Sequence, residues 1–394
     1  MRSRRRRPVR NRVKIALLCF FVVLLGIGLV KGGKYVPVLW DLLFKKEIQL
    51  TTAAQDQKVN LLLLGVGGGT HDGPDLTDTI IFASIDPNTK KVVLVSIPRD
   101  TWVPDLGAKI NTVYTFAEQK EEGNGLTATK ALVGNILDQP IDYAVKIDFG
   151  GFEKMVDMAG GLDIEVDNTF DDYEYPVSGF EADPCGVSEE KVASLSAEIA
   201  SGSSTVVNAF PCRYEQLHFD KGPQKMNGET ALKYVRSRHG TGKEGSDFAR
   251  SIRQEKVIAA FKDRMLAVDT FLNPVKLVNL MAILQDSIKT DIKEEEYDDF
   301  IKLGKKMDGA KMTSAVLDVG DASEDRFGLL ENPGISPEFK NQWVLSPRTG
   351  NGQYAEIQKY VKCQIEGINC SIGKFGIMTP TPLPTPRPTQ TTNN

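Results

Sequence analysis

Apolar residues fall along this chain in short blocks whose spacing changes from one segment to the next. Val59–Val66, VNLLLLGV, is a continuous apolar run that ends in glycines, the pattern of a buried strand. Two more strands are expected at Thr79–Ile85 and Val92–Ile97, joined by DPNTKK, whose Asp, Pro and Asn favour a tight turn. Beyond them the period alternates: Thr127–Leu137 reads as helix, Ala144–Ile147 as strand, Phe152–Met158 as helix and Leu162–Val166 as strand. Such alternation predicts an α/β fold, an α-β-α sandwich around a central mixed sheet. Asn227 is a plausible N-cap for a helix over GETALKYV, and a longer helix runs from Asp247 to about Val268. Residues 273–330 alternate amphipathic helical stretches with one strand, Thr313–Leu317, and Gln353–Val361 is helical. These patterns place one domain at 58–268 and a helical or mixed region at 269–378.

Three segments stand outside that pattern. Ile15–Val30 is uncharged, and RSRRRRPVRNRVK precedes it. Its 16 residues fall a little short of the roughly 20 that usually span a bilayer, and GGKYVPVLW extends it if Lys31 and Lys34 snorkel. We read 15–34 as one uncleaved N-terminal transmembrane helix, 1–14 as a cytoplasmic basic tail and 35–57 as a stalk. The alternative is a cleaved signal peptide. Residues 171–220 are polar and without a sustained period, so they are expected to form an excursion pinned by cysteines. Residues 379–394, TPTPLPTPRPTQTTNN, are a Pro/Thr tail that cannot bury a core.

Charge and cysteine content agree with export. The chain holds 48 Lys+Arg and 52 Asp+Glu, but residues 1–14 carry eight of the cations and none of the anions, which leaves a distinctly acidic body. Four body cysteines permit two disulfides, most simply Cys185 with Cys212 and Cys363 with Cys370, because each pair closes a local loop. A zinc site is disfavoured, since no CxxC occurs and His71, His218 and His239 are scattered.

Four segments concentrate chemistry. GGGTHDGPDLTDTI, residues 67–80, offers Asp72, Asp75 and Asp78 as hard oxygen ligands suited to magnesium. VVLVSIPRDTWV delivers Arg99 and Asp100 just past a strand end, where ligands of open α/β sheets gather. NGETALKYVRSRH carries Arg236 and Arg238, which share one face if YVRSR is extended. SDFARSIRQEKV sets Arg250 and Gln254 four apart on a helix face, with Arg253 turned aside as a substrate contact or a solvated ion-pair residue. Arginines gathered in an acidic body point to phosphate, which guanidinium binds with two parallel hydrogen bonds. Nucleic acid is disfavoured by the acidic body and by the lack of a basic stripe interleaved with aromatics.

Taken together, LTDTIIFASIDP, VSIPRD, KIN at 109–111, FGGFEKMVDMAGGLDIEV, NGETALKYVRSRH and DFARSIRQ resemble the LytR-CpsA-Psr family of cell-wall phosphotransferases, from about Val59 to Lys262. The resemblance implies an external catalytic domain on a single membrane helix. It implies transfer of a glycopolymer from a polyprenyl pyrophosphate to a peptidoglycan hydroxyl, with magnesium, or manganese in its place. Arg99, Arg236, Arg238, Arg250 and Gln254 fall on the family's phosphate-binding and catalytic pattern, and Asp78 on a metal-binding aspartate. Gly67 and Leu76 depart from it, standing where many members carry an aspartate and an arginine, so Asp72 or Asp75 is the expected replacement ligand. The competing readings are a polyprenyl-pyrophosphate hydrolase and a binding protein that senses the lipid without turning it over.

Overall fold

The computed structural model describes residues 48–52, 58–68, 75–266, 287–321, 325–368, 370–374 and 376–378. The expected basic tail, membrane helix and Pro/Thr tail, with Asp72, lie outside these residues, as does most of the stalk. Among the described residues no helix is long and apolar enough to cross a membrane.

A six-stranded mixed sheet organises the molecule. Strands β1 (Val59–Val66), β2 (Thr77–Asp86) and β3 (Lys91–Ser96) form an antiparallel meander. The DPNTKK turn between the last two is closed by Asp86, whose Oδ1 accepts from the amides of Asn88 and Thr89 at 2.9 and 3.0 Å. Helix α1 (Gly125–Leu137) leads into β4 (Tyr143–Asp148), which pairs parallel with β1. Helix α2 (Phe149–Met158) starts where β4 ends, and Asp148 caps it by accepting from Gly151 N at 2.6 Å. A smaller lobe follows: β5 (Leu162–Val166), β6 (Phe170–Pro176), α3 (Glu189–Ala200), β7 (Tyr214–Phe219), β8 (Gly222–Met226), α4 (Gly228–Arg236) and α5 (Asp247–Leu266). The chain then returns to the sheet through β9 (Ile288–Thr290), α6 (Tyr297–Lys306) and β10 (Lys311–Val316), and α7 (Ala355–Glu366) packs last.

Both sheet faces are covered, which is why the strands read as unbroken apolar runs. Leu62, Leu64, Phe82, Val93 and Val95 face α1 and α7, meeting Val133, Ile136 and Val361. Their neighbours Val59, Ile81, Ala83, Val92 and Leu94 face the other way, toward Leu303 and Met307 of α6 and Ile258 of α5. The expected α-β-α sandwich is therefore present. A separate core joins α2, α4 and α5 to the strand pairs β5–β8 and β6–β7 through Val156, Ile164, Phe170, Phe219, Tyr234 and Val257.

Three expectations need correction. The strand order β9-β4-β1-β2-β3-β10 places one strand from the 269–378 segment at each edge of the sheet, so the fold runs through the boundary expected at 268. Residues 171–220 are not merely an excursion. Their two ends form the β6–β7 ladder, from Phe170 against Phe219 to Pro176 against Tyr214, and only the middle loops outward. Cys185 and Cys212 face each other at the base of that loop with Cα atoms 5.5 Å apart, and Cys363 faces Cys370 at 6.4 Å. Finally, YVRSR is not extended: α4 continues through Arg236 and breaks only at Ser237.

Helix persistence over YVR follows from α4's capping and its burial. Asn227 caps it as expected, accepting from Thr230 N at 2.9 Å, and Ala231, Leu232 and Tyr234 are buried. A Cβ at Gly228 would lie 2.2 Å from the Glu153 carbonyl oxygen, so only glycine lets α4 approach α2 this closely. Asn227→Ala should cost about 1 kcal/mol of unfolding free energy. Asn227→Asp should keep most of it, as measured by urea denaturation.

Candidate active site

The carboxyl ends of β1, β3 and β4 lie along one edge of the sheet, together with the start of β2. Arg99 stands three residues past β3, and Asp78 is the second residue of β2. The antiparallel pairing brings these ends together, and the Arg99 guanidinium bonds Asp78 directly. On its other side Arg99 Nε lies 3.6 Å from Asp100, which Lys109 holds at 2.7 Å. Burial pulls the Arg99 pKa down, but Asp78 and Asp100 pull it up further and leave it above its ordinary value. Asp100 thus acts from behind Arg99, as part of its mounting.

The opposite wall comes from the smaller lobe. Arg236 ends α4, its guanidinium carbon 4.0 Å from the Phe149 ring centroid while Nη1 donates to Tyr175 Oη at 3.1 Å. Burial holds the Tyr175 hydroxyl above its usual pKa despite Arg236 and Lys233, so it is protonated at neutral pH. Arg238 follows on a bend built around Asp172, which is 0% exposed. Asp172 Oδ2 accepts from Ser237 Oγ at 2.6 Å, Arg238 N at 3.1 Å and His239 N at 3.2 Å, and Oδ1 accepts from Glu174 N at 2.9 Å. Four donors on one carboxylate fix the backbone at Arg238.

Arg253 is placed differently from the expected substrate contact. It is 2% exposed, and its guanidinium donates to the carbonyls of Tyr234 at 2.9 Å, Ser237 at 2.7 Å and Glu244 at 2.9 Å, and to the Glu244 carboxylate at 2.8 Å. The Phe170 ring centroid lies 5.0 Å from its guanidinium carbon. Burial outweighs Glu244 and lowers its pKa, though an arginine so placed stays charged. Arg253 therefore ties α5 to the end of α4 and mounts Arg236 and Arg238.

Helix α5, capped by Ser246 Oγ accepting from Ala249 N at 3.1 Å, contributes the last wall. Arg250 and Gln254 line the cavity side by side, as their spacing of four predicts. The cavity holds about 360 Å³ and is lined by Asp78, Arg99, Arg236, Arg238, Arg250 and Gln254, with Phe149, Asp172, Glu174, Tyr175, Tyr214 and His239 among the remaining contributors. The structure thus gathers all five residues expected to be catalytic. Sequence reasoning missed the β6 residues Asp172 and Tyr175, because their segment has no sustained period. The aromatics of FDDYEYP were the available signal, and the irregularity between Asp172 and Tyr175 breaks its alternation.

The expected metal carboxylates separate. Asp78 lines the cavity, whereas Asp75 pairs with Lys146 at 3.2 Å and does not line it. Magnesium binds commonly through one or two carboxylates plus substrate phosphate oxygens. Among the cavity carboxylates Asp172 is occupied by backbone donors, and Asp78, beside the arginine cradle, fits that donor set with the anion supplying the remaining oxygens.

An arginine-walled cavity at the carboxyl edge of a mixed sheet has the chemistry that suits a compact polyanion. The LytR_cpsA_psr family model matches residues 43–327, and this chain belongs to that family. The polyisoprenyl-teichoic acid–peptidoglycan teichoic acid transferase TagU of Bacillus licheniformis is 25% identical over 305 residues, covering 73% of this chain and 81% of its own. TagV of Bacillus subtilis, named for the same activity, is 27% identical over 335 residues, covering 80% and 73%. Solved structures from Streptococcus agalactiae and Listeria innocua share the fold at a TM-score of 0.50, with 19% and 20% identity. They cover 78% and 79% of this chain and 88% and 98% of theirs.

The two kinds of arginine should respond differently to substitution. Arg253→Met removes the cation beside Glu244 and the donors to the Tyr234 and Ser237 carbonyls, and should cost about 3 kcal/mol of stability. Arg238→Ala and Arg250→Ala should stay within about 1 kcal/mol of the parent. Chemical denaturation compared with pyrophosphate affinity checks this: the latter pair should lose binding without losing stability.

Proposed function

We propose that this chain transfers a glycopolymer from a polyprenyl pyrophosphate to a peptidoglycan hydroxyl at the outer face of the cytoplasmic membrane, held there by residues 15–34. The observation that carries this reading is the cavity in which Arg99, Arg236, Arg238, Arg250 and Gln254 meet beside Asp78. Family membership and the names of the relatives support the donor and the acceptor. The four body cysteines, paired at bridging Cα separations, suit an oxidising exterior as two disulfides.

Phosphoryl transfer asks the protein for alignment and charge neutralisation. In this reading Arg99 and Arg236 hold the oxygens of the phosphate attached to the glycan, while Arg238 and Arg250 hold its neighbour, the phosphate that leaves with the lipid. The acceptor oxygen attacks the glycan-linked phosphorus, the bond to the bridging oxygen breaks, and polyprenyl phosphate leaves with that electron pair. The departing phosphate takes up the hydroxyl proton. Magnesium, or manganese in its place, held by Asp78 and the pyrophosphate oxygens, would neutralise charge there.

Arg99→Ala and Arg238→Ala should each lower transfer by about 100-fold or more. The measurement is the appearance of glycan on peptidoglycan from a labelled lipid-linked donor. Wild-type turnover in both variants would sink the assignment, and free phosphorylated glycan as the sole product would make the enzyme a hydrolase.

A further inference from the structure

A second cavity of about 570 Å³ opens beside the first and shares Phe149, Tyr175, Pro176 and Arg236 with it. Its volume lies in the range of small-ligand sites, about 300–1,000 Å³. The charge is reversed there. Asp148, Glu153, Glu215 and Glu229 line it, so an anionic donor is repelled from this side of Arg236. Asp148 is occupied in capping α2, and Lys233 lies 3.0 Å from Glu215 and 2.8 Å from Glu229. Three of the four carboxylates are therefore engaged already, and what the cavity offers is hydrogen-bond acceptors. Phe149 and Tyr175 add ring surface suited to the C–H faces of a sugar, with the Tyr175 hydroxyl as a polar tip.

Resting on the transfer function proposed above, we propose that this second cavity is the acceptor subsite: it takes a neutral, hydroxyl-rich saccharide and presents one hydroxyl past Arg236 to the phosphorus. The attacking oxygen forms its bond to phosphorus as the bond to the lipid phosphate breaks, with the proton leaving on that phosphate as before. Arg236 stands where the two chambers join, stacked on Phe149 and bonded to Tyr175, and so divides an anion-binding side from a hydroxyl-binding side. Burial, then Glu229 and Asp157, hold the Glu153 carboxyl above the usual carboxylate range, which makes it a better hydrogen-bond acceptor for a hydroxyl.

The test uses the full chain purified from membranes, a synthetic polyprenyl-pyrophosphoryl glycan as donor and uncrosslinked peptidoglycan strands as acceptor. Glu153→Lys reverses charge inside the second cavity. Ser178→Trp fills it from an exposed loop and keeps the test available should Glu153→Lys fail to fold. Both should raise KM for the acceptor by about tenfold or more, with KM for the donor within about twofold of wild type. Acceptor KM unchanged in both variants, or donor KM rising in parallel, overturns the subsite while leaving the transfer function standing. A wild-type enzyme that puts no glycan on peptidoglycan overturns the function itself.

Discussion

Holding several guanidiniums around one small space is the constraint on which this structure depends. Arginines repel one another, and a loop carrying two of them would open unless something else kept it closed. Arg253 and Asp172 supply that closure from beneath the cavity floor. Between them they bond the backbone of Tyr234, Ser237, Arg238, His239 and Glu244, so the bend after α4 is held by buried charge-assisted hydrogen bonds. One buried arginine thus supports two that line the cavity, Arg236 and Arg238. It must be an arginine, because only a planar fork reaches three carbonyls and a carboxylate at once.

The remaining architecture serves the same end. β1 and β4 run parallel and β3 runs antiparallel to β2, so their carboxyl ends and the start of β2 meet at one sheet edge. Covering helices on both faces make that edge rigid. Against it the smaller lobe sets α4, α5 and the β6–β7 ladder, and the cavity lies where the two cores meet. Reading 58–268 as a unit by itself therefore understates what positions Arg99, because β9 and β10 complete the sheet that carries it.

How much of this was legible in the residues depends on the range of the interactions. Strand and helix identities were readable over most of Val59 to Val166, where the apolar blocks carry their own period and the DPNTKK turn its own chemistry, but the helix at Val113–Lys120 went unread. Arg250 and Gln254 were legible as a pair because helical spacing alone puts them on one face. Arg236 and Arg238 were grouped correctly but by the wrong geometry. An extended YVRSR was expected, whereas Asn227 capping and the burial of Ala231, Leu232 and Tyr234 carry the helix through Arg236.

The sequence by itself determined the sandwich and which arginines would meet, since local period and motif order encode both, and loop length made the facing cysteine pairs the simplest choice. Tertiary structure decided which charged groups face the ligand. Arg253 and Gln254 are adjacent on one helix, yet Arg253 turns into the floor and Gln254 into the cavity, because only the fold places the Tyr234 and Ser237 carbonyls beneath α5. Asp75 and Asp78 are three residues apart, yet one meets Lys146 and the other Arg99, because strand pairing brings those cations from 71 and 21 positions onward in the chain. Contacts between residues so far apart leave no periodic trace, and the division of charge between the two cavities is made of such contacts.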